Sequence, residues 1–207
     1  MKSFLKIFCD ESSIKFDDRT INQAIAKYLN DKVEKIIRSK SFLERYREII
    51  DELFQSSPEF LSLSSGILKD IFNLQLFRSF YDSMISAIVS NTRVYYRKMN
   101  GSIPGLIQIE TIRSDYSEVL SLPGAKIQGV EWLKFLLLEG DKWIKVSNIT
   151  VTPSQILYTN VNPTPDGAYF RIPSEFSGTI DNNWILRSLD ELGYLVTNYI
   201  ASRLQYE

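Results

Sequence analysis

The stretch Thr92-Arg93-Val94-Tyr95-Tyr96-Arg97-Lys98-Met99-Asn100-Gly101, followed closely by Leu106-Ile107-Gln108-Ile109-Glu110-Thr111-Ile112, decides the fold class of this 207-residue chain. The first segment is rich in β-branched and aromatic residues, the second has the mixed alternation of a strand, and Asn-Gly is a strong turn signal. The two are expected to pair as an antiparallel hairpin. On either side of them the hydrophobic period is helical.

Upstream, residues 20–91 read as helix. Thr20-Ile21-Asn22-Gln23 and Ser41-Phe42-Leu43-Glu44 both fit the capping box, in which a hydroxyl and a longer polar side chain satisfy free amides at a helix start. Ile21, Ile25, Leu29, Ile36 and Ile37 follow the first, and Tyr46, Ile49, Ile50, Leu53 and Phe54 the second, each set forming one apolar stripe. Lys27, Lys32, Lys35 and Arg38 alternate with Asp31 and Glu34, which reads as a solvated face. Ser56-Ser57-Pro58 ends the second helix, because proline lacks an amide hydrogen and restricts its predecessor. Ser57 should cap a turn carrying Phe60, Leu61 and Leu63, and after Gly66 the pattern resumes from Ile67 to Ile88.

Downstream, residues 130–138 predict a short helix with Trp132, Phe135, Leu136 and Leu138 near one face, ended by Gly140. Residues 142–152 alternate as a strand. Asn160-Val161-Asn162-Pro163-Thr164-Pro165-Asp166-Gly167 reads as a loop between strands at 155–159 and 168–172. From Asp181, a plausible N-cap, Trp184, Ile185, Leu189, Leu192, Leu195, Val196, Tyr199 and Ile200 define a closing amphipathic helix. The expected class is α+β: a helical N-terminal region over 1–91, then an α+β domain over 92–207 whose antiparallel sheet packs with the short helix and the long C-terminal helix.

Hydrophobic residues make up 44% of the chain, enough for a real core, and 24 basic against 25 acidic residues leave a net charge of -1. Nothing global draws such a chain to nucleic acid or to an anionic membrane. The apolar run within residues 1–8 is too short for a leader, and no later run approaches the ~18 residues of a spanning helix. A single cysteine excludes an internal disulfide. A soluble protein folding in a reducing cytoplasm is expected. Through Pro104 there are 16 basic and 13 acidic residues, and afterwards 8 and 12. This modest asymmetry would favour head-to-tail stacking of copies.

The chain contains no histidine, which removes the commonest general base and metal ligand. Cys9 sits beside Asp10 and Glu11, an acidic setting that suppresses thiolate. No phosphate-cradling glycine motif is present, and no serine stands out beside a lysine as a nucleophile. Glu131, Glu139 and Asp141 are the remaining route to acid/base or hard-cation chemistry, and a carboxylate-dependent metal hydrolase is the catalytic alternative. Solvation of a helix-to-strand turn accounts for the same three residues. Helix capping likewise accounts for Asp181-Asn182-Asn183. Trp132, Trp143 and Trp184 read as anchors of the core or of a protein interface. The expectation is a protein with no catalytic residues, cofactor, metal or small-molecule substrate.

Four blocks carry a resemblance. They are Leu61-Ser62-Leu63-Ser64-Ser65-Gly66-Ile67-Leu68-Lys69-Asp70-Ile71-Phe72-Asn73-Leu74; Ile112-Arg113-Ser114-Asp115-Tyr116-Ser117-Glu118-Val119-Leu120; Trp132-Leu133-Lys134-Phe135-Leu136-Leu137-Leu138-Glu139-Gly140-Asp141; and Pro173-Ser174-Glu175-Phe176-Ser177-Gly178-Thr179-Ile180-Asp181-Asn182-Asn183. In this order, with a leucine-rich helix after the last, they resemble tailed-bacteriophage virion structural proteins of the neck, head-tail connector or tail-completion type. The resemblance spans roughly residue 57 to the C-terminus. It implies a noncatalytic homo-oligomeric ring that joins head and tail, located in the virion and, during assembly, in the host cytoplasm. Its implied partners are other copies of the chain and neighbouring neck and tail proteins, without specific nucleic acid or membrane. An assembly adaptor or chaperone not retained in the particle is the alternative. The two prolines within 162–167 replace the polar glycine-containing loop common in such proteins, so that loop's contacts are not carried over.

A ring component needs surfaces for like and unlike neighbours. The segments 115–129 and 174–179 place apolar residues where no periodicity is visible, which makes Tyr116, Leu122, Pro123 and Phe176 the interface candidates. Their other reading is cover for the protein's own core.

Overall fold

The computed structural model describes residues 2–6, 19–72, 74–100, 105–113, 115–126, 130–140, 142–147 and 161–206. In chain order these form β1 (Lys2–Lys6), α1 (Arg19–Ile37), α2 (Lys40–Gln55), α3 (Pro58–Ser65), α4 (Ile67–Phe72), α5 (Phe77–Ser90), β2 (Arg93–Arg97), β3 (Leu106–Glu110), α6 (Ser117–Leu120), α7 (Trp132–Leu137), β4 (Trp143–Ser147), β5 (Val161–Thr164), β6 (Gly167–Arg171), α8 (Trp184–Ser188) and α9 (Leu192–Tyr206). The fold is α+β, with two small antiparallel sheets in place of the single sheet expected over 92–172. Cys9, the turn at Gly101 and the expected strand at 155–159 lie outside the described residues.

The chain forms two compact units that interleave in sequence. Unit 1 comprises Met1–Ile50, Asn91–Ile112 and Glu191–Glu207; unit 2 comprises Asp51–Ser90 and Arg113–Asp190. Position 91 therefore marks a change from helix to strand, and each unit draws on both sides of it.

In unit 1, β2 and β3 pair antiparallel with Arg93 opposite Glu110 and Arg97 opposite Leu106, the hairpin partners expected from their pattern. A third strand, β1, pairs with the other edge of β3, with Lys2 opposite Glu110. The N-terminal segment is thus a strand, and its partner lies about a hundred residues away, which no local pattern announces. Ile107 and Ile109 on β3 are buried, as are Val33, Ile36 and Ile37 of α1, Phe42, Tyr46 and Ile49 of α2, and Val196 and Ile200 of α9.

Asn30, 6% exposed, ties α1 to the end of the hairpin. Its Nδ2 donates to the Met99 carbonyl at 3.1 Å, while its Oδ1 accepts from the Met99 amide at 2.9 Å and the Tyr96 hydroxyl at 2.6 Å. One amide side chain thereby satisfies both backbone groups of a residue leaving the ladder. The start of α2 is capped by Ser39, whose Oγ accepts from the Phe42 amide at 3.1 Å. Ser41, the expected cap, is the second residue of the helix.

Unit 2 is built on aromatic packing. Trp132 of α7 meets Phe80 edge-on at 5.0 Å and Phe72 at 5.8 Å, Phe72 continues to Phe170 of β6 at 5.6 Å, and Trp184 meets Phe54 at 5.4 Å. Both tryptophans are fully buried, and each indole N–H finds an acceptor: Trp132 the Gly124 carbonyl at 2.6 Å, Trp184 the Ser57 hydroxyl at 2.9 Å. A buried polar tip without such a partner would offset much of the gain from the ring. Ser57 is the N-cap of α3, as its place before Pro58 predicts, and accepts from the Phe60 amide at 3.2 Å. The buried face of α7 is Trp132, Leu133, Leu136 and Leu137; Phe135 and Leu138, expected on that face, are only half-buried.

The second sheet has the order β4-β6-β5. Residues 161–164, expected to be loop, are strand β5, which pairs with β6 so that Pro163 lies opposite Ala168 and leaves only Pro165 and Asp166 as the turn. Proline is tolerated because β5 is an edge strand, where a missing amide costs no interior ladder bond. The closing helix is also divided: Asn183, not Asp181, caps α8 by accepting from the Leu186 amide at 3.1 Å, and residues 189–191 separate α8 from α9.

Candidate interaction surface

Two of the three carboxylates considered for catalysis, Glu131 and Glu139, are paired with lysines. Lys134 Nζ lies 3.0 Å from Glu139 and 3.8 Å from Glu131, Lys142 reaches Glu139 at 3.0 Å, and Lys126 reaches Glu131 at 4.0 Å. The hydrogen bonds from Lys134 and then Lys142 hold the Glu139 carboxyl below its usual range, and the same bond with Glu139 pushes the Lys134 ammonium up. A carboxylate kept ionised this way accepts hydrogen bonds but is a poor proton donor near neutrality. Asp141 lies outside the described residues, and among those described no group of three or more acidic, cysteine or histidine side chains is placed to hold a metal.

The interface candidates separate by burial. Tyr116 is 2% exposed, and its hydroxyl accepts from Asn183 Nδ2 at 2.8 Å, so it belongs to the interior of unit 2. Its backbone is left-handed at φ 55°, unusual for a bulky residue, immediately before α6. Leu122 is half-buried, Pro123 is exposed and Phe176 is half-buried.

Phe176 belongs to a loop, residues 173–183, that is fixed at three points. The Gly178 amide donates to the Phe135 carbonyl at 3.1 Å, and its carbonyl accepts from the Gly140 amide at 3.0 Å. A Cβ on Gly178 would overlap the Leu136 carbonyl, so the loop can pass this close to α7 only without a side chain. Arg187 of α8 holds the next stretch: its Nε donates to Glu59 at 2.7 Å, and its Nη1 donates to Asn182 Oδ1 at 2.8 Å. Glu59 is 2% exposed and its pairing with Arg187 supplies the partner that a buried carboxylate requires. Asn183 adds a bond from Nδ2 to the Thr179 carbonyl at 2.9 Å. The loop so held presents Glu175, Ile180 and Asp181 to solvent, with Ile180 54% exposed.

Two further surfaces lie outside the four interface candidates. On the outer face of the unit 2 sheet, Trp143 is 52% exposed, and Lys145 lies 5.6 Å over the Tyr169 ring and 3.2 Å from Asp166. Trp143 is therefore a surface residue, unlike Trp132 and Trp184. In unit 1, the edge strand β2 turns Arg93, Tyr95 and Arg97 outward on one face, with Tyr95 47% exposed. Alternation in 92–97 was the available signal for this second face, but which set points inward depends on what covers the sheet.

No helix among the described residues is long and apolar enough to cross a membrane. No protein-family model, curated protein or solved structure matches this chain.

Proposed function

We propose that this chain is a noncatalytic structural protein of a tailed-phage virion, forming a homo-oligomeric ring in the neck or at the tail end that joins head and tail. One observation carries the reading. The four sequence blocks that resemble such proteins fall, but for Ile112, within unit 2, and they touch one another there. Block one meets block three through Phe72 and Trp132, block three meets block four through Phe135 and Gly178, and block four meets block two through Asn183 and Tyr116. Segments of sequence that resemble one family in order, and that also assemble one core, support a shared domain over a chance sum of short likenesses. The exposed aromatic residues Trp143, Tyr169 and Tyr95 suit a protein whose work is contact with neighbours.

On this reading the partners are other copies of the chain and adjacent neck or tail proteins, and the place of work is the virion. Light scattering on the purified protein, alone and with its virion neighbours, should give an oligomeric mass, and electron microscopy should give rings. Mass spectrometry of purified particles should find the chain. A protein that stays monomeric in every mixture and is missing from particles would overturn the proposal; rings of a protein missing from particles would favour an assembly adaptor.

A further inference from the structure

The two units carry opposite charge. Unit 1 contains 15 basic and 11 acidic residues, a net of +4, whereas unit 2 contains 9 and 14, a net of -5. This separation is larger than the one between the sequence halves, because the interleaved units sort the charges more sharply than a single cut through the chain does. Two exposed surfaces carry part of it. On β2 of unit 1, Arg93, Tyr95 and Arg97 form an exposed cation-aromatic-cation row along a sheet edge. On unit 2, the loop held by Gly178 and Arg187 exposes Glu175 and Asp181 on either side of Ile180 and the half-buried Phe176.

We infer that the β2 row of one copy receives the 174–182 loop of the next, a heterologous contact between unlike patches of the same chain. The inference rests on the homo-oligomer reading above and adds the surfaces through which copies meet. Three features favour it. The patches are complementary in both charge and apolar content: two arginines face two carboxylates, and Tyr95 supplies the ring against which Ile180 and Phe176 pack. The loop is already pinned within its own unit, so docking orders little that was free. An edge strand with exposed basic residues is also protected from strand-on-strand aggregation until a shaped partner covers its face. A head-to-tail contact of this kind repeats from copy to copy and closes into a ring when its rotation permits. Nucleic acid is the competing occupant of a basic and aromatic sheet face, but the acidic complement lies on this same chain.

Charge exchange tests the contact. R93E/R97E and E175K/D181K are each expected to weaken self-association at least about tenfold by sedimentation velocity, because each sets like charges against one another. Mixed in equal amounts, the two variants should regain oligomers, since acidic sheets then meet basic loops and the unchanged patches still match. Far-UV circular dichroism of each variant should equal that of the wild type, as all four positions are exposed. If the wild type assembles and the variants assemble equally well, or the mixture fails to recover, the contact is wrong while the ring survives. A wild type that never associates removes both. Single-stranded or duplex DNA binding that is lost in R93E/R97E, with assembly unchanged, would assign the row to nucleic acid and overturn the inference.

Discussion

Gly140 and Gly178 are joined by a hydrogen bond of 3.0 Å from the amide of the first to the carbonyl of the second, at a place where neither residue has room for a side chain. A Cβ on Gly140 would overlap the Gly178 amide and Ser177, and one on Gly178 would overlap the Leu136 carbonyl. The neighbours here are backbone atoms and the Ser177 Cβ, none of which has a rotamer to yield. This close approach ties the 173–183 loop to the end of α7.

Gly178→Ala is therefore expected to destabilise the protein by about 2 kcal/mol or more, at the upper part of the range for overpacking. Urea unfolding followed by tryptophan fluorescence measures it, since Trp132, Trp143 and Trp184 all lie in unit 2. A loss below about 0.5 kcal/mol would mean that the loop passes α7 with space to spare.

The buried Glu59 gives a second test. Arg187→Ala removes its partner and should cost about 3 kcal/mol, because an unpaired carboxylate is left inside. In the double variant with Glu59→Gln the additional loss should be much smaller than the Glu59→Gln loss alone. A double-mutant cycle showing simple additivity would deny the coupling.

Asn30→Ala should cost about 2 kcal/mol, since it removes the side chain that bonds the Met99 amide and carbonyl at the end of the hairpin. Hydrogen exchange resolved to the peptide should show the Met99 amide losing protection, while unit 2 peptides hold theirs. Uniform loss across both units would show that Asn30 acts on the whole chain and not on the hairpin end.

The tryptophans should respond unequally. Trp132→Ala removes a fully buried ring and is expected to cost about 3–5 kcal/mol, whereas Trp143→Ala should stay within about 1 kcal/mol in the monomer. Iodide quenching of the monomer should reach Trp143 and spare the other two, a fraction that a Trp143→Phe variant removes.

The pH profile follows from composition and from four carboxylates. Bonds to Lys98 hold Glu34 low, Lys134 and Lys142 hold Glu139 low, the Ser117 amide and hydroxyl hold Asp115 low, and Lys145 holds Asp166 low. A carboxyl with a depressed folded pKa contributes stability above its unfolded value, near 4, and loses it as pH falls through the folded value. Lys98, Lys134 and Lys145 are pushed up, so their share persists below the unfolded lysine value and is lost only as pH rises through the raised folded values. The chain has no histidine, the one side chain whose ordinary charge change falls between about pH 5.5 and 7.5. Melting temperature should be flat across that window and fall below about pH 4.5; a step near pH 6.5 would contradict this account.

Several local features were readable from local causes. Ser57 before Pro58 gave both the end of α2 and the cap of α3, and the residue patterns of 92–99 and 106–112 gave the partners β2 and β3. The errors share a physical origin. Ser41 and Asp181 are acceptable caps by residue type, but Ser39 and Asn183 hold the positions whose backbone geometry presents free amides. Pro163 looked like a loop residue because its tolerance in a strand depends on that strand lying at an edge. Of the interface candidates, Tyr116 carried no sequence mark that distinguished burial against Asn183 from exposure like that of Pro123.

The sequence by itself determined the α+β class, the places where helix gives way to strand, and the chemistry left without histidine. Those properties come from period, turn residues and composition, which are complete in the one-dimensional chain. Tertiary structure alone decided that Lys2–Lys6 joins β3, that Gly178 meets α7, that Arg187 meets Glu59 across more than a hundred residues, and that the two units carry opposite net charge. Each of these depends on which distant surfaces approach, and the same local sequence is compatible with many such approaches until packing within each unit selects one.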